Sequence, residues 1–436
     1  MRKLIVAHIN SHCFCTIRPV MKKIIHCENQ LDHWQQGVGR DRNGLFNTPD
    51  KRGLEQLYHS TGPFFFGAIR LFLIAMIVLG ILWISCDAKR PFRIGFVATI
   101  SGRVAYLGLA GRDAVQLAVD QCNAGGGIHG RRVELIIQDD QQNEDIVVEA
   151  VQALIQADVE AVIGPMTSNM AMVITPYLNE SRTIAVSPTV STGRLSGKDD
   201  YFLRVNPATD ETAIHSAEYQ LRSEGVRKFL VIYDKGNRAY SEGWLKIFKK
   251  RFVAGGGQIT ATVAFGKDEH QSFSEIVHAA LVNDFDGILI IANAMDCALI
   301  CHQIRKSDPD TIITLAAWGA TERLIELGGR AVEGVTVVQN FNRDSLDPAY
   351  QRFRKHYLER FRQEPGFPSV YAYDAAQVVL TALDNRKKGQ HLKVSILSIG
   401  EFNGLQGKII FDAYGDVKRS NTFISVVRNQ KFVVVE

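Results

Sequence analysis

The chain has 436 residues and a formal net charge of +4, with 46% hydrophobic and 22% charged residues. This composition is typical of a folded globular protein and excludes a largely disordered one. Part of the positive charge lies in the N-terminal region, and no basic stripe interleaved with aromatic residues indicates a nucleic-acid partner.

Residues 1–62 are polar, basic and rich in turn-forming residues, without a sustained apolar period. They hold three of the seven cysteines, Cys13, Cys15 and Cys27, but they lack the paired spacing and the companion ligands of a zinc site. We expect an N-terminal extension that is poorly ordered or that reflects a start assigned too early. No folded domain is predicted there.

The segment 63–86 predicts export from the cytoplasm. Its apolar run from residue 71 follows Arg70 and has the proportions of the apolar core of an export signal. The run ends in Leu82-Trp83-Ile84-Ser85-Cys86, which resembles a bacterial lipobox with Trp83 where an aliphatic residue is usual, so Cys86 is the predicted lipid anchor. Alternatively, 63–85 is an uncleaved anchor that spans the bilayer while Arg70 reaches the interface. Both interpretations place the rest of the chain in the periplasm or at the cell surface, anchored to the membrane.

From Phe92 onwards, short apolar runs alternate with amphipathic stretches, which is typical of parallel βα units. The first series of predicted strands is 93–100, 133–140, 161–166 and 184–189. The second series is 229–234, 258–265, 287–293, 311–318 and 334–341. Helices predicted between the strands imply two buried sheets that are covered on both faces.

About 350 residues follow Cys86, which is too many for one compact core and fits two domains. The predicted fold class is α/β, with two Rossmann-like lobes joined by a three-strand hinge near residues 206, 341 and 411. The predicted domain limits are 92–206 plus 341–411 for lobe 1 and 207–340 plus 412–436 for lobe 2. Ligands of open α/β sheets bind beyond the carboxyl ends of the strands, so a cleft between the lobes is the predicted site.

Several patterns that could carry chemistry are better explained by structure. The glycines of 125–127 follow a helix instead of a strand, so we interpret them as a helix end and turn. Asp139 and Asp140 are adjacent in a strand and point to opposite faces, which excludes a shared acid–base site. Cys297 and Cys301 lie one helical turn apart and are expected to be free thiols. We predict no catalytic activity, no cofactor and no metal site.

Seven segments of the sequence resemble those of a known protein family. They are IGFVATISGRVAYLG, AVDQCNAGGGIHGRRVELIIQDDQ, AVIGPMTS, IAVSPTVST, VIYDKGNRAYSEG, YAYDAAQVV and GLQGKIIFDAYGD. In this order they resemble the type I periplasmic solute-binding proteins, specifically the branched-chain amino-acid (Leu/Ile/Val) family that serves ABC importers. The resemblance covers nearly all of residues 92–436. It implies a protein that closes around a small solute by hinge motion.

The resemblance also implies which side chains meet the solute. Two first-lobe loops would hold a carboxylate through Thr167 and Ser168, and through Thr189 and Ser191, because hydroxyls at a helix N-terminus offer donors to an anion. The alternative is that Ser168 and Ser191 are only helix N-caps. From the second lobe, Tyr240 would close over the solute and donate a hydrogen bond.

Other positions depart from the family pattern. Trp318 stands where amino-acid binders place an acidic residue for the ammonium group, Asn293 stands where a tyrosine is frequent, and Leu107 with its neighbour Tyr106 stands near an aromatic wall. Without a carboxylate, a buried ammonium would lack its partner, so an organic carboxylate is as good a candidate as an amino acid. Alternatively, the ring face of Trp318 receives the cation, or Glu322 supplies the charge.

The sequence therefore predicts an extracytoplasmic solute-binding protein that captures a small amino acid or organic carboxylate and delivers it to ABC permease subunits. The alternative is a membrane-tethered ligand-sensing receptor subunit of the same fold.

Overall fold

The computed structural model describes residues 90–222, 226–266, 272–417 and 422–436. The predicted N-terminal extension, the signal or anchor segment and Cys86 lie outside these residues. Among the described helices, none combines the length and apolar character that a membrane span requires. The described residues fall in one compact unit, and its two large sheets define two lobes.

The first lobe contains five parallel strands in the order β2-β1-β3-β4-β5. The strands are β1 (Phe92–Ala98), β2 (Val133–Asp139), β3 (Ala161–Ile163), β4 (Ala185–Ser187) and β5 (Phe202–Arg204). The helices that follow β1, β2 and β3 are α1 (Ala105–Ala124), α2 (Glu144–Gln156) and α3 (Ser168–Ser181). Every residue of β1 except Arg93 is buried, as expected for a strand covered on both faces. Strand β5 is absent from the sequence prediction.

The second lobe contains seven strands in the order β14-β13-β10-β9-β8-β6-β7. Its parallel strands are β6 (Lys228–Asp234), β7 (Gln258–Phe265), β8 (Gly287–Ile291), β9 (Ile312–Leu315) and β10 (Thr336–Gln339). The antiparallel strands β13 (Phe423–Arg428) and β14 (Lys431–Val434) extend the sheet beyond β10. Its helices are α4 (Asp210–Arg222), α5 (Arg238–Ala254), α6 (Phe273–Leu281), α7 (Ala294–Ser307) and α8 (Glu322–Gly328). Short 3-10 helices lie at Gly193–Leu195, Lys235–Asn237, Ala317–Gly319 and Gly329–Val332.

A later segment of the chain returns to complete the first lobe. It consists of α9 (Pro348–Phe361), α10 (Phe367–Asp384), α11 (Leu392–Ile399) and the hairpin of β11 (Glu401–Gly404) and β12 (Gly407–Ile410). Helix α10 packs against α1. Its buried residues join the side chains of β1 and α1 in one hydrophobic core. The first lobe is therefore made from two separate parts of the sequence.

The chain passes between the lobes three times, after β5, after β10 and before β13. The first two passages are irregular and do not pair as strands. Side chains join them instead, since Asn340 Nδ2 donates to Asn206 Oδ1 over 3.1 Å. Phe411 and Val417 both belong to the first-lobe core, so the third passage begins a few residues later than the predicted position near 411.

Arg204, at the end of β5, fixes the last part of the first lobe. Only 1% of its side chain is exposed, and its guanidinium donates to Asp416 Oδ1 and to the Thr192 carbonyl, each over 2.8 Å, and to the Ser196 hydroxyl. Asp416 also accepts from the Gly197 N–H over 2.7 Å. The buried guanidinium therefore ties the loop of Asp416 to the segment that runs from Thr192 to Ser196.

Two polar contacts link the lobes across the cleft between them. Arg103, in the loop after β1, donates to Asp296 in the first turn of α7 over 2.5 Å. The N–H of Asn169, in the first turn of α3, donates to Asn237 Oδ1 over 3.0 Å. The Asp296 carboxylate is completely buried, and burial raises its pKa to about 6 although Arg103 opposes the shift. Asp234 nearby adds to the increase.

We expect Arg204→Leu to lower the free energy of unfolding by about 3 kcal/mol, because the change leaves a carboxylate and two loop acceptors without their donor. The matched control is Arg93→Leu in β1. Arg93 forms an ion pair with Glu134 in which the two side chains are 46% and 51% exposed, respectively. Such an exposed pair contributes less than about 1 kcal/mol to stability. Urea denaturation of the two variants measures the difference. Equal losses would contradict the assigned role of Arg204.

We expect the buried carboxyl of Asp296 to make stability depend on pH. Its pKa is raised in the folded protein, so its contribution is complete below the unfolded value of 3.8 and is lost as the pH rises through about 6. Asp296→Asn should weaken the dependence of the melting temperature on pH between pH 4 and pH 6.5, relative to the unmodified protein. Asp284→Asn, at an exposed pair with Lys228, should leave the pH dependence in place, and an unchanged profile in Asp296→Asn would refute the interpretation.

Candidate functional site

Loops at the carboxyl ends of the parallel strands enclose a small cavity between the lobes, which we call the inner cavity. It has a volume of about 50 Å³. Its lining residues are Leu107, Met166, Ser168, Thr189, Ser191, Asn206, Pro207, Ala208, Thr209, Thr212, Asn237, Tyr240, Ala317, Trp318, Gln339, Asn340, Phe341 and Phe367. Five of the eight predicted site residues are thus brought together from four different loops or helix starts, and they are Ser168, Thr189, Ser191, Tyr240 and Trp318.

The first lobe contributes hydroxyls at the N-terminus of α3. Ser168 is the first residue of α3, and its Oγ accepts from the Ser191 N–H over 3.4 Å. Thr189 donates its hydroxyl to the Met166 carbonyl over 2.5 Å, so it orders the loop. The alternative that Ser168 and Ser191 are N-caps is wrong, because Thr167 is the N-cap of α3 and Thr192 caps the following 3-10 helix.

The second lobe contributes two aromatic side chains that contact each other. Tyr240 lies in the first turn of α5, and its hydroxyl accepts from the Trp318 N–H over 3.2 Å. The two rings meet edge to face with centroids 5.7 Å apart. Burial raises the pKa of Tyr240, so its hydroxyl remains protonated. Its proton can therefore be donated into the cavity while its oxygen holds the loop of Trp318.

A second cavity adjoins the first, and we call it the outer cavity. It has a volume of about 300 Å³ and shares Leu107, Met166 and Trp318 with the inner cavity. The other three predicted site residues, Tyr106, Thr167 and Asn293, line this cavity instead of the inner one. The amide of Asn293 is occupied, since it caps α7 and donates to Asp296 Oδ2 over 2.6 Å.

Charge is distributed unevenly between the two cavities. Among the described residues that line the inner cavity there is no Asp, Glu, Lys, Arg or His. Glu322 does not supply the charge there, because it lines a separate cavity and accepts from Arg343 Nε over 2.7 Å. Arg103, paired with Asp296, and Arg323, paired with Glu326, line the outer cavity.

The ion pair of Arg103 and Asp296 and the hinge amides Asn206 and Asn340 are the site features that the sequence analysis missed. Arg103 stands directly after a buried strand, where loop residues of α/β proteins meet ligands. Asp296 lies three residues after Asn293, a spacing typical of a capped helix start. These local signals could have identified both residues, but not their contact across 193 positions of the chain.

Other reactive groups are held in structural roles. Cys297 and Cys301 are free and buried in α7, and burial raises the pKa of both, that of Cys301 to about 12. Asp140 accepts from the Thr99 hydroxyl, and Asp139 accepts from the Ile100 N–H over 3.0 Å. Within the described part of the chain, no group of His, Cys, Asp and Glu side chains could hold a metal ion.

Comparisons with known proteins agree with this architecture. A family model described as periplasmic binding protein matches residues 91–430. The Leu/Ile/Val-binding protein BraC3 of Rhizobium johnstonii is 32% identical over 170 residues, which are 39% of this chain and 46% of BraC3. The chain therefore matches about half the length of that curated relative.

Two solved structures share the fold. The substrate-binding protein LivJ of Streptococcus pneumoniae, in complex with isoleucine, superposes with a TM-score of 0.72 and 23% identity over 79% of this chain and 99% of LivJ. A solute-binding protein of Rhodopseudomonas palustris, in complex with 3,4-dihydroxybenzoic acid, superposes with a TM-score of 0.70. It is 20% identical in sequence, over 78% of this chain and 95% of that protein. The predicted two-lobed α/β fold class is thereby confirmed. Because the family match extends over most of the chain, the protein belongs to the periplasmic binding proteins.

Proposed function

We propose that this chain is an extracytoplasmic solute-binding protein that captures a small organic carboxylate in the inner cavity and presents its closed form to the permease of an ABC importer. The observation that carries the proposal is the pairing of first-lobe hydroxyls with second-lobe aromatic residues around a cavity whose described lining includes no charged side chain. Hinge closure of this kind is general among periplasmic binding proteins. The membrane tether at 63–86, with Cys86 as lipid anchor, stays a prediction from the sequence.

Ser168 and Ser191 are the proposed partners of the carboxylate. Ser168 accepts from the Ser191 N–H, so its own proton is left for another acceptor, and it lies where the N–H groups of a helix start favour an anion. Tyr240 would donate from the opposite lobe. A solute held from both sides stabilises the closed form, because only contacts made in that form bias the equilibrium between open and closed.

The solute class follows from the missing counter-charge. An α-ammonium group in the inner cavity would lose its hydration without gaining a carboxylate partner, which costs several kcal/mol. The similar structures include one bound to an amino acid and one bound to an aromatic acid without an ammonium group. The uncharged lining of this cavity favours the second class of solute. A small aliphatic or aromatic acid is therefore the proposed cargo.

We expect Ser168→Ala and Ser191→Ala each to weaken carboxylate binding by about 1.5 to 3 kcal/mol, because each removes a donor to a charged group. Calorimetric titration with benzoate and 4-methylpentanoate measures the change. The control is Ser181→Ala, at the other end of α3, where the hydroxyl donates to the Tyr177 and Leu178 carbonyls and accepts from the Thr183 N–H. Unchanged affinities in both site variants would refute the assignment of the site.

We expect 4-methylpentanoate to bind about tenfold or more tightly than leucine, since the two differ only in the ammonium group that the inner cavity leaves unpaired. Parallel titrations of the unmodified protein at one pH provide the comparison. Tighter binding of leucine would contradict the proposed solute class. If that tighter binding were lost in Trp318→Leu, the ring of Trp318 would be the partner of the ammonium group.

A further inference from the structure

Two threonines with unpartnered hydroxyls line the outer cavity, one from each lobe. Thr167 is 5% exposed and Thr321 is 2% exposed, and neither Oγ1 has a hydrogen-bond partner. Both occupy N-cap positions, of α3 and α8, yet neither side chain makes the usual capping bond. Because both threonines line the outer cavity, rotation of either side chain can present its hydroxyl to a group that enters there.

Leaving such hydroxyls unpaired is unfavourable. A threonine at an N-cap normally accepts from an N–H of the first helical turn. A buried hydroxyl without any partner destabilises the folded protein, because it has lost its hydration without gaining a hydrogen bond. Two of these costs at one cavity, from opposite lobes, indicate a site that is completed by an oxygen or nitrogen of another molecule.

Arg103 identifies the preferred kind of group. Arg103 also lines the outer cavity, and its guanidinium is held in place by Asp296, which in turn is fixed by the amide of Asn293. Two hydroxyls and a guanidinium together offer mainly donors. A carboxylate, hydroxyl or carbonyl oxygen accepts such bonds, whereas an alkyl end does not.

The sizes of the two cavities support a shared occupant. The inner cavity, at about 50 Å³, is much smaller than the outer cavity, at about 300 Å³. Leu107, Met166 and Trp318 form a common apolar boundary between the two. A molecule that places one end in each cavity would pass its carbon skeleton along these three side chains.

We infer that the outer cavity is the distal half of the solute site and binds a second oxygen-bearing group of an extended carboxylic acid through Thr167, Thr321 and Arg103. The inference rests on the proposed function, because the first carboxylate is assigned to the inner cavity. It narrows the cargo from any small acid to diacids and to acids with a terminal hydroxyl. Contacts from both lobes at the distal end would add to the closing force.

The test uses matched probes and the full chain. Calorimetry compares linear monoacids of four to eight carbons with the α,ω-diacid and the ω-hydroxy acid of the same length, and benzoate with 4-carboxybenzoate and 4-hydroxybenzoate. In the unmodified protein, we expect the distal oxygen to raise affinity about tenfold at the best length. A larger gain for diacids would assign the natural group as a carboxylate, and a larger gain for hydroxy acids would assign it as a hydroxyl.

The variants Thr167→Val and Thr321→Val keep the shape of the side chain and remove the hydroxyl. The quantity compared is the affinity for the diacid or hydroxy acid divided by the affinity for the monoacid of the same length. Each variant should reduce this ratio about fivefold. Each should also raise or preserve the melting temperature of the ligand-free protein. The matched control is Thr314→Val, because Thr314 also has a buried, unpartnered hydroxyl but lies in β9 and lines neither cavity. It should change the melting temperature in the same direction and leave the affinity ratio unaltered.

Ser168→Ala separates this inference from the proposed function, because it should weaken monoacids and diacids alike. If the ratio is near one in the unmodified protein, or is insensitive to both threonine variants while Ser168→Ala still weakens binding, the distal site is refuted and the carboxylate site stands. If no carboxylate of the series binds, the proposed function is refuted and the distal site with it.

Discussion

Parallel strand pairing is the constraint on which the cleft depends. In each lobe, neighbouring parallel strands end at the same edge of the sheet, so strand pairing brings the loops that follow them together. Ser168 and Ser191 reach one cavity because β3 and β4 are neighbours in the first sheet. Tyr240 and Trp318 reach it because β6, β8 and β9 pair in the second. A change that shifted the register of one strand would therefore move several site residues at once.

The electrostatic design of the cleft separates a neutral interior from charged surroundings. The described lining of the inner cavity is apolar, hydroxyl or amide, whereas the ion pairs of Arg103 with Asp296 and of Arg343 with Glu322 lie outside it. Charged side chains that are already paired have little tendency to compete with a solute for the hydroxyls. The pair of Arg103 and Asp296 joins opposite lobes, so it contributes to the closed form independently of the solute.

Much of the fold could be predicted from the sequence, because strongly apolar strands such as 287–291 and long amphipathic helices give clear patterns of hydrophobic residues. The three residues of β5 are too few to give such a pattern, and their pairing with β4 depends on distant residues. The loops of the site could be predicted from the resemblance, but the roles of their hydroxyls could not. Whether a serine caps a helix or faces a cavity depends on a shift of one residue, as Thr167 and Ser168 illustrate. The unpartnered hydroxyl of Thr321 is visible only when its surroundings are known.

The order of elements along the chain also bears on biosynthesis. The first lobe needs α10 and the β11–β12 hairpin for its core, and the second lobe needs β13 and β14 beside β10. The first-lobe core therefore needs residues up to Val417, and the second-lobe core needs Val427 and Phe432. The two lobes therefore cannot fold one after the other as independent units during synthesis, because each core waits for a segment that follows most of the other lobe.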